Sequence, residues 1–275
     1  MSYETVLLSE AVRLLLVGLM VVGTMMFALW LLHLPLKNAS IVDPAWAYGL
    51  SLLAITYAVL GTGYVWRRRL IAGMAIVWGV RLGTHLLFRI VGQPEEGRYQ
   101  QLRREWGSYI ALKFLAFFEL QALLDVFLSV PFLLAALNRE SRIHGLEYAG
   151  LILWLIALVG EGIADAQLAA FKRDPASHGQ VCQRGLWNYS RHPNYFFEWL
   201  IWVAWAWFAL ASPQGWLAIG CPLLMLYFLL RVTGIRATEA QSLRSKGAAY
   251  RHYQETTSAF VPWFKKFPQA LESRI

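Results

Sequence analysis

The sequence predicts an all-α integral membrane protein with about seven transmembrane helices and a cytosolic C-terminal tail. Of its 275 residues, 57% are hydrophobic and only 15% are charged, whereas soluble domains carry about 25% charged residues. The apolar residues fall into runs long enough to cross a bilayer, each of about 20 residues. The chain reads as a single membrane domain, 1–275, because no run of residues has the composition of a separate soluble domain.

Seven apolar runs are predicted to be spans. The first is too long for the core of a signal peptide and no small-residue cleavage site follows it, so it is kept as a helix. The runs are residues 11–33, 44–63, 70–91, 110–137, 147–171, 195–212 and 215–233.

The basic residues lie in the loops and the tail, and they give a net charge of +8. Lys and Arg are in excess in the tail and in the loop 172–194, which predicts that the C-terminus lies in the cytosol and the chain in the inner (plasma) membrane. Arg67–Arg69 lies on the opposite side and argues against this orientation. Membrane orientation accounts for the charge, so we do not expect a nucleic-acid partner. Without a His/Cys cluster of ligand spacing, we expect no metal.

Polar residues occur at the start of the second predicted span and along the third. Asp43 precedes Pro44, where it would cap the second span or act in a site. Arg81, His85 and Arg89 are spaced i, i+4, i+8 and share one helix face, which predicts a polar groove or, for the arginines, pairing with carboxylates.

The fourth span carries acidic side chains that could pair with the arginines of the third. It carries Glu119, Gln121 and Asp125, for which charge pairing and cavity lining stay open as alternatives. Pro131 predicts a kink in the same helix.

The strongest signal is the stretch Gly185–Glu198, GLWNYSRHPNYFFE. Pro193 suits the first turn of a helix, and cationic side chains beside free backbone N–H groups suit an anion. Asp165 and Lys172 lie two turns apart on one face of the preceding span. With the tail, these residues predict a cytosolic pocket for a nucleotide cofactor. Its expected lining is Asp165, Lys172, Tyr189, Arg191, His192, Asn194, Tyr195, Glu198, Arg231, Arg236, Glu239, Tyr250 and Tyr253.

Three segments carry a resemblance to a known family. GLWNYSRHPNYFFEW, DAQLAAFK and YRHYQETTSAFVPWF resemble the steroid 5-alpha-reductase-like membrane family, most closely its bacterial branch. The resemblance implies seven spans, NADPH bound in the C-terminal half, and hydride transfer to the β-carbon of an enone whose carbonyl is polarised by a Glu/Tyr pair. It makes residues 11–140 the substrate side and residues 147–265 the cofactor-binding half.

The family's residues transfer position by position. Asp165 and Lys172 match the family's acid and base, which are seven residues apart. Asn194 matches the Asn that contacts the cofactor, and Glu198 matches the acid that follows it. Tyr253 and Pro262 match its tail, nine residues apart.

The N-terminal half departs from the family. The steroid reductases have a Gln-Glu pair in their N-terminal half, and this pair is absent here; Asp43 lies only roughly in that region. His85 falls near the position of the family's catalytic Tyr without matching it. The expected catalytic residues are therefore His85 and Asp43, with Arg81, Glu119 and Gln121 in a substrate cavity.

These observations predict an NADPH-dependent oxidoreductase that acts on the CH–CH bond of a steroid- or lipid-like enone. The RHP-x-Y signature also resembles isoprenylcysteine and phospholipid methyltransferases, which bind S-adenosylmethionine, so that activity is the alternative. Those families carry two adjacent tail glutamates, whereas Glu239 is followed here by Ala240. A membrane transporter or scaffold is the third alternative. Its charges would be distributed across the bilayer midplane, whereas most of the polar residues here cluster at one end of the spans.

Overall fold

The computed structural model describes residues 3–265, and this part of the chain is all-helical, as predicted. Its β-pairing is limited to one isolated parallel bridge between Ser190 and Ser258. The α-helices in chain order are α1 Tyr3–Leu36, α2 Val42–Leu60, α3 Val65–Ile90, α4 Gly97–Trp106, α5 Ile110–Leu128, α6 Val130–Leu137, α7 Gly145–Arg173, α8 Pro193–Leu210, α9 Gly220–Tyr227 and α10 Ile235–Thr256.

Within the described residues, five helical stretches are long and apolar enough to cross a membrane, and the bent pair of α5 and α6 makes a sixth if it is one span. The count falls short of the predicted seven because α8 is not among them. The five are Thr5–Leu36, Ala39–Leu60, Val65–Ile90, Gly145–Arg173 and Gly215–Thr256.

The predicted kink in the fourth span is confirmed. α5 and α6 are bent by 42° at Ser129. Pro131 has no N–H to donate to the carbonyl of Phe127, one helical turn earlier. The Cys221 thiol lies 3.6 Å from that carbonyl oxygen and donates to it instead.

The chain divides into two compact units. Of the described residues, unit 1 comprises 3–148 and 205–221, and unit 2 comprises 149–204 and 222–265. The core of unit 1 is built on stacked aromatic rings: Trp205 makes edge contacts with Trp78 and with Phe132, each at 5.0 Å between centroids. Such contacts stabilise more than burial of the ring area alone.

Unit 1 also contains a fully buried ion pair. The side chains of Arg67 and Glu147 are both 0% exposed and are bonded through two guanidinium nitrogens. The remaining donors of Arg67 reach the carbonyl oxygens of Asn138, Glu140 and Arg142 at 2.5–3.2 Å. Arg67 therefore belongs to the interior, although the sequence suggested a loop cation that argues against the predicted orientation.

In unit 2, α7 packs against the first half of α8, and the residues that directly follow α10 bond to the loop between these helices. Gly160 lies directly against the ring of Phe197, which leaves no room for a Cβ atom. After α10, the chain bonds back to the loop: the Arg191 N–H donates to Ser258 O at 2.8 Å and the Trp263 N–H to Tyr189 O at 2.9 Å.

Candidate functional site

The start of α8 is the centre of the candidate site in unit 2. Pro193 is the first residue of α8, as predicted. The Ser190 hydroxyl accepts from the His192 N–H at 3.1 Å and donates to Phe260 O at 2.8 Å. These bonds hold the loop before the helix in one conformation.

Arg191 ties this loop to α10. Its Nε donates to Glu239 Oε1 at 2.6 Å, and its Nη1 donates to Gln254 O at 2.8 Å and Thr257 O at 2.6 Å. The Arg191 side chain is 10% exposed and that of Glu239 is 14% exposed. Most of the donor capacity of Arg191 is therefore used within the protein, and only part of the guanidinium can reach a ligand.

Glu239 is the common acceptor of the cluster. His192 Nε2 lies 3.3 Å from Glu239 Oε1, and Gln254 Nε2 donates to Glu239 Oε2 at 2.7 Å. The imidazole of His192 stacks on Tyr195 with ring centroids 5.3 Å apart. Three donors on one carboxylate stabilise its ionised form.

Asn194 and Asp165 form the polar contact between α7 and α8. Asn194 Nδ2 donates to Asp165 Oδ1 at 3.2 Å. A carboxylate only accepts hydrogen bonds at neutral pH, so the amide nitrogen of Asn194 must face Asp165. Asn194 Oδ1 is then a buried acceptor, and it has no hydrogen-bond partner among the described residues. Buried polar atoms are almost always paired, so this oxygen suits a donor on a ligand.

A cavity of about 370 Å³ in unit 2 is lined by Arg191 and Gln254, two members of the cluster around Glu239. Glu255 and Ser258 add to its polar lining, and Trp263 and Phe264 supply aromatic faces. Thr257 lines the same cavity, and its hydroxyl is buried without a hydrogen-bond partner within residues 3–265. The cavity thus combines a cation, unused polar groups and exposed rings.

The other predicted cofactor residues have separate surroundings. Glu198 is buried and accepts from Trp202 Nε1 at 2.9 Å. Tyr253 is buried and donates to the carbonyl oxygens of Trp187 and Ser190, so it holds the loop. Tyr250 packs on Tyr253 at 5.8 Å. The side chains of Lys172, Tyr189, Arg231 and Arg236 are exposed.

In unit 1, Asp43 has partners that the sequence did not indicate. It accepts from Arg98 and, at 2.6 Å, from the hydroxyl of Tyr99. Tyr99 is 1% exposed. Burial raises the pKa of the Tyr99 hydroxyl, and the nearby negative charge of Asp43 adds to the rise. Tyr99 therefore remains a protonated donor at neutral pH.

Tyr99 lies on α4, between the third and fourth predicted spans, where the sequence analysis predicts no helix. The signal that could have found this helix is the apolar spacing of Tyr99, Leu102 and Trp106, at i, i+3 and i+7. Of the remaining predicted residues in unit 1, His85 is exposed, whereas Arg81, Glu119 and Gln121 are half-buried.

Comparison with known proteins places the chain in a family. A family model described as a protein of unknown function, DUF1295, matches residues 29–257. An uncharacterised protein of Schizosaccharomyces pombe is 27% identical over 278 aligned positions, which cover 90% of this chain and 79% of that protein. No solved structure matches the chain.

Proposed function

The chain belongs to the DUF1295 family, and from that premise we propose that it is a membrane-embedded, NADPH-dependent reductase of an activated C=C bond in a steroid- or lipid-like enone. DUF1295 is associated with steroid 5-alpha-reductase-like proteins, which agrees with the resemblance of the three sequence segments. The observation that carries the proposal is the acceptor on Asn194. Its buried Oδ1, beside Asp165, is oriented for an N–H or O–H donor that the described chain does not supply.

NADPH fits this set of residues. A carboxamide N–H or a ribose hydroxyl would donate to Asn194 Oδ1 and to the carboxylate of Asp165. The rings of Trp263 and Phe264 would stack on a base. The part of Arg191 that remains available would contact a phosphate. The chemistry that NADPH supplies when bound is a hydride for the β-carbon of the enone.

The contacts of the tail acid bear on the S-adenosylmethionine alternative, in which Glu239 would accept the ammonium group of that cofactor. Glu239, the tail acid shared with the methyltransferase signature, is already bonded by Arg191, His192 and Gln254. A fourth, cationic partner would have to displace one of these donors.

Asp43 and Tyr99 of unit 1 are our candidates for the acid–tyrosine pair that polarises the carbonyl. A phenol that stays protonated donates to a carbonyl oxygen, and its acid partner orients it. His85 remains the second candidate from the sequence, although its exposed position gives it no described partner of this kind. We also propose that α8 crosses the membrane as the seventh span. The protein would lie in a bacterial inner membrane with its C-terminus on the cytosolic side, as the excess of Lys and Arg favours.

The test is an equilibrium titration of NADPH, followed by its fluorescence, against protein in lipid nanodiscs. We expect Asn194→Ala to weaken binding about 10-fold, because it removes one hydrogen bond to the ligand and leaves Asp165 without its amide partner. Asn188→Ala changes a half-buried Asn in the short 3-10 turn before α8; it is the matched control and should bind as the wild type does. If the wild type does not bind NADPH, the proposed function is contradicted. If Asn194→Ala binds NADPH as tightly as the wild type does, the placement of Asn194 in the cofactor site is contradicted.

A further inference from the structure

The outer face of α7 in unit 2 carries an apolar groove that the candidate site does not use. Phe197 of α8 forms one wall, and Gly160 lets its ring lie against the backbone of α7. The other wall consists of side chains on α7 that are 45–58% exposed: Leu155, Ile156, Val159 and Ile163. Because α7 is long and apolar enough to cross a membrane, these exposed apolar side chains face lipid tails.

The groove has about the length of one leaflet of the bilayer. Its lining on α7 extends from Leu155 to Gln167, which is about 18 Å at about 1.5 Å per residue. One leaflet of a hydrocarbon core contributes about 15 Å. Since α7 comprises Gly145–Arg173, the groove extends from the middle of the helix to within two turns of its C-terminal end. It therefore lies in the leaflet that adjoins the loop between α7 and α8.

The width of the groove distinguishes a lipid tail from a helix of another protein. Its volume is about 620 Å³, which over a length of about 18 Å gives a mean cross-section of about 35 Å². An α-helix with its side chains has a diameter of about 10–12 Å and thus a cross-section of about 80–110 Å². The groove can therefore seat an extended hydrocarbon chain but not the body of a helix.

Gln167 gives the groove a polar end. The Leu186 N–H donates to Gln167 Oε1 at 2.9 Å, and this bond fixes which end of the amide faces the loop. The two N–H donors on Nε2 make no bond to another described residue. Gly185 lies directly against this amide: its φ is 57°, and a Cβ atom there would overlap Gln167. The loop thus holds a hydrogen-bond donor at the end of the groove nearest the membrane surface.

We propose that this groove binds one acyl chain of a membrane glycerolipid, and that the ester carbonyl of this chain accepts a hydrogen bond from Gln167 Nε2. The apolar walls, the length and the cross-section match a single hydrocarbon chain. The donor lies at the end where such a chain joins its headgroup, and a carbonyl oxygen is an acceptor. The inference does not depend on the proposed cofactor or reaction, because none of the residues that line the groove is assigned to them.

The test photolabels the full-length protein in detergent micelles with a diacyl phosphatidylcholine that carries a diazirine in one acyl chain. Peptide mass spectrometry then locates the label, which we expect on residues 155–163 and on Phe197. Val159→Trp should fill the groove and remove most of this label. Ile152→Trp is the matched control, because Ile152 is as exposed as Val159 and lies on α7 outside the groove; it should leave the label unchanged.

A competition experiment tests the polar end. Unlabelled dioleoyl phosphatidylcholine should displace the probe from the wild type about 5-fold better than its dialkyl ether analogue, which lacks the ester carbonyl. Gln167→Glu keeps an acceptor for the Leu186 N–H and replaces the donor with an oxygen. The two lipids should therefore compete equally for this variant. Since Gln167→Glu adds no bulk, it keeps the inference testable even if Val159→Trp fails to fold.

Three results would overturn the inference. Label that spreads onto residues 148–152 and is unchanged by Val159→Trp would mean that lipids contact this face without a binding site. Equal competition by the ester and ether lipids for the wild type would contradict the bond to Gln167. A dimer of this chain in native mass spectrometry that Val159→Trp dissociates would assign the groove to a second copy.

Discussion

Replacing Arg191 with lysine separates the structural role of this side chain from its role in a ligand site. Lysine keeps the charge but has one ammonium group in place of the planar guanidinium. Arg191 bonds Glu239 through Nε, and Gln254 O and Thr257 O through Nη1. A lysine at this position can keep only part of these bonds.

The expected cost follows from these bonds. A hydrogen bond to a charged group contributes about 1.5–3 kcal/mol, and at least one is lost from a site that is only 10% exposed. We expect a loss of about 3 kcal/mol, which lowers the Tm by about 6–12 °C for a chain of this size. The loss should be local, because these bonds hold the end of α10 and the residues that follow it.

Two assays measure the effect of Arg191→Lys. Tryptophan fluorescence in detergent gives the Tm, and hydrogen exchange gives the protection of residues 254–260. Arg244→Lys, an exposed substitution on the same helix, is the control and should change neither. If Arg191→Lys melts within about 1 °C of the wild type with unchanged exchange, the bonds described for Arg191 do not hold the tail, and the reasoning is wrong.

Three further substitutions test unit 1 by its thermal or denaturant unfolding. Glu147→Gln leaves the buried charge of Arg67 uncompensated and should cost about 3–5 kcal/mol; a loss below 1 kcal/mol would contradict the buried pair. Tyr99→Phe removes the hydrogen bond to Asp43 and should cost about 1 kcal/mol, and an unchanged Tm would mean that this bond contributes nothing. Asp125 is 0% exposed, and neither of its carboxyl oxygens has a hydrogen-bond partner among the described residues. A charged carboxylate there would be unsolvated, so the neutral acid is the form that this site can bury. Asn is uncharged and nearly isosteric with that acid, so Asp125→Asn should change stability by no more than about 0.5 kcal/mol. A large loss would reveal an ion pair.

Periodicity and composition predicted most of the fold. The all-helical architecture and the bend near Pro131 follow from apolar runs and proline chemistry, which act locally. The helix α4 was missed because its apolar residues are few and lie among charged ones. A buried Arg67 was not predictable either, because its partner Glu147 is 80 positions away and nothing local indicates the pair.

The candidate site was predictable in part. The sequence identified Arg191, His192 and Glu239 as members of one site, and the structure brings them into contact. It did not reveal that these residues largely satisfy each other, because hydrogen-bond partners depend on geometry and not on residue type. For the same reason, the unpaired acceptor of Asn194 emerged only from the three-dimensional arrangement.

The most direct test of the proposed cofactor is to identify the small molecule that accompanies the protein. The full-length chain would be purified in mild detergent, extracted, and analysed by mass spectrometry beside a matched preparation of Asn194→Ala. We expect NADPH or NADP⁺ to be bound to the wild type and depleted in the variant. S-adenosylmethionine in its place, at a level that Asn194→Ala lowers, would contradict the reductase and favour the methyltransferase.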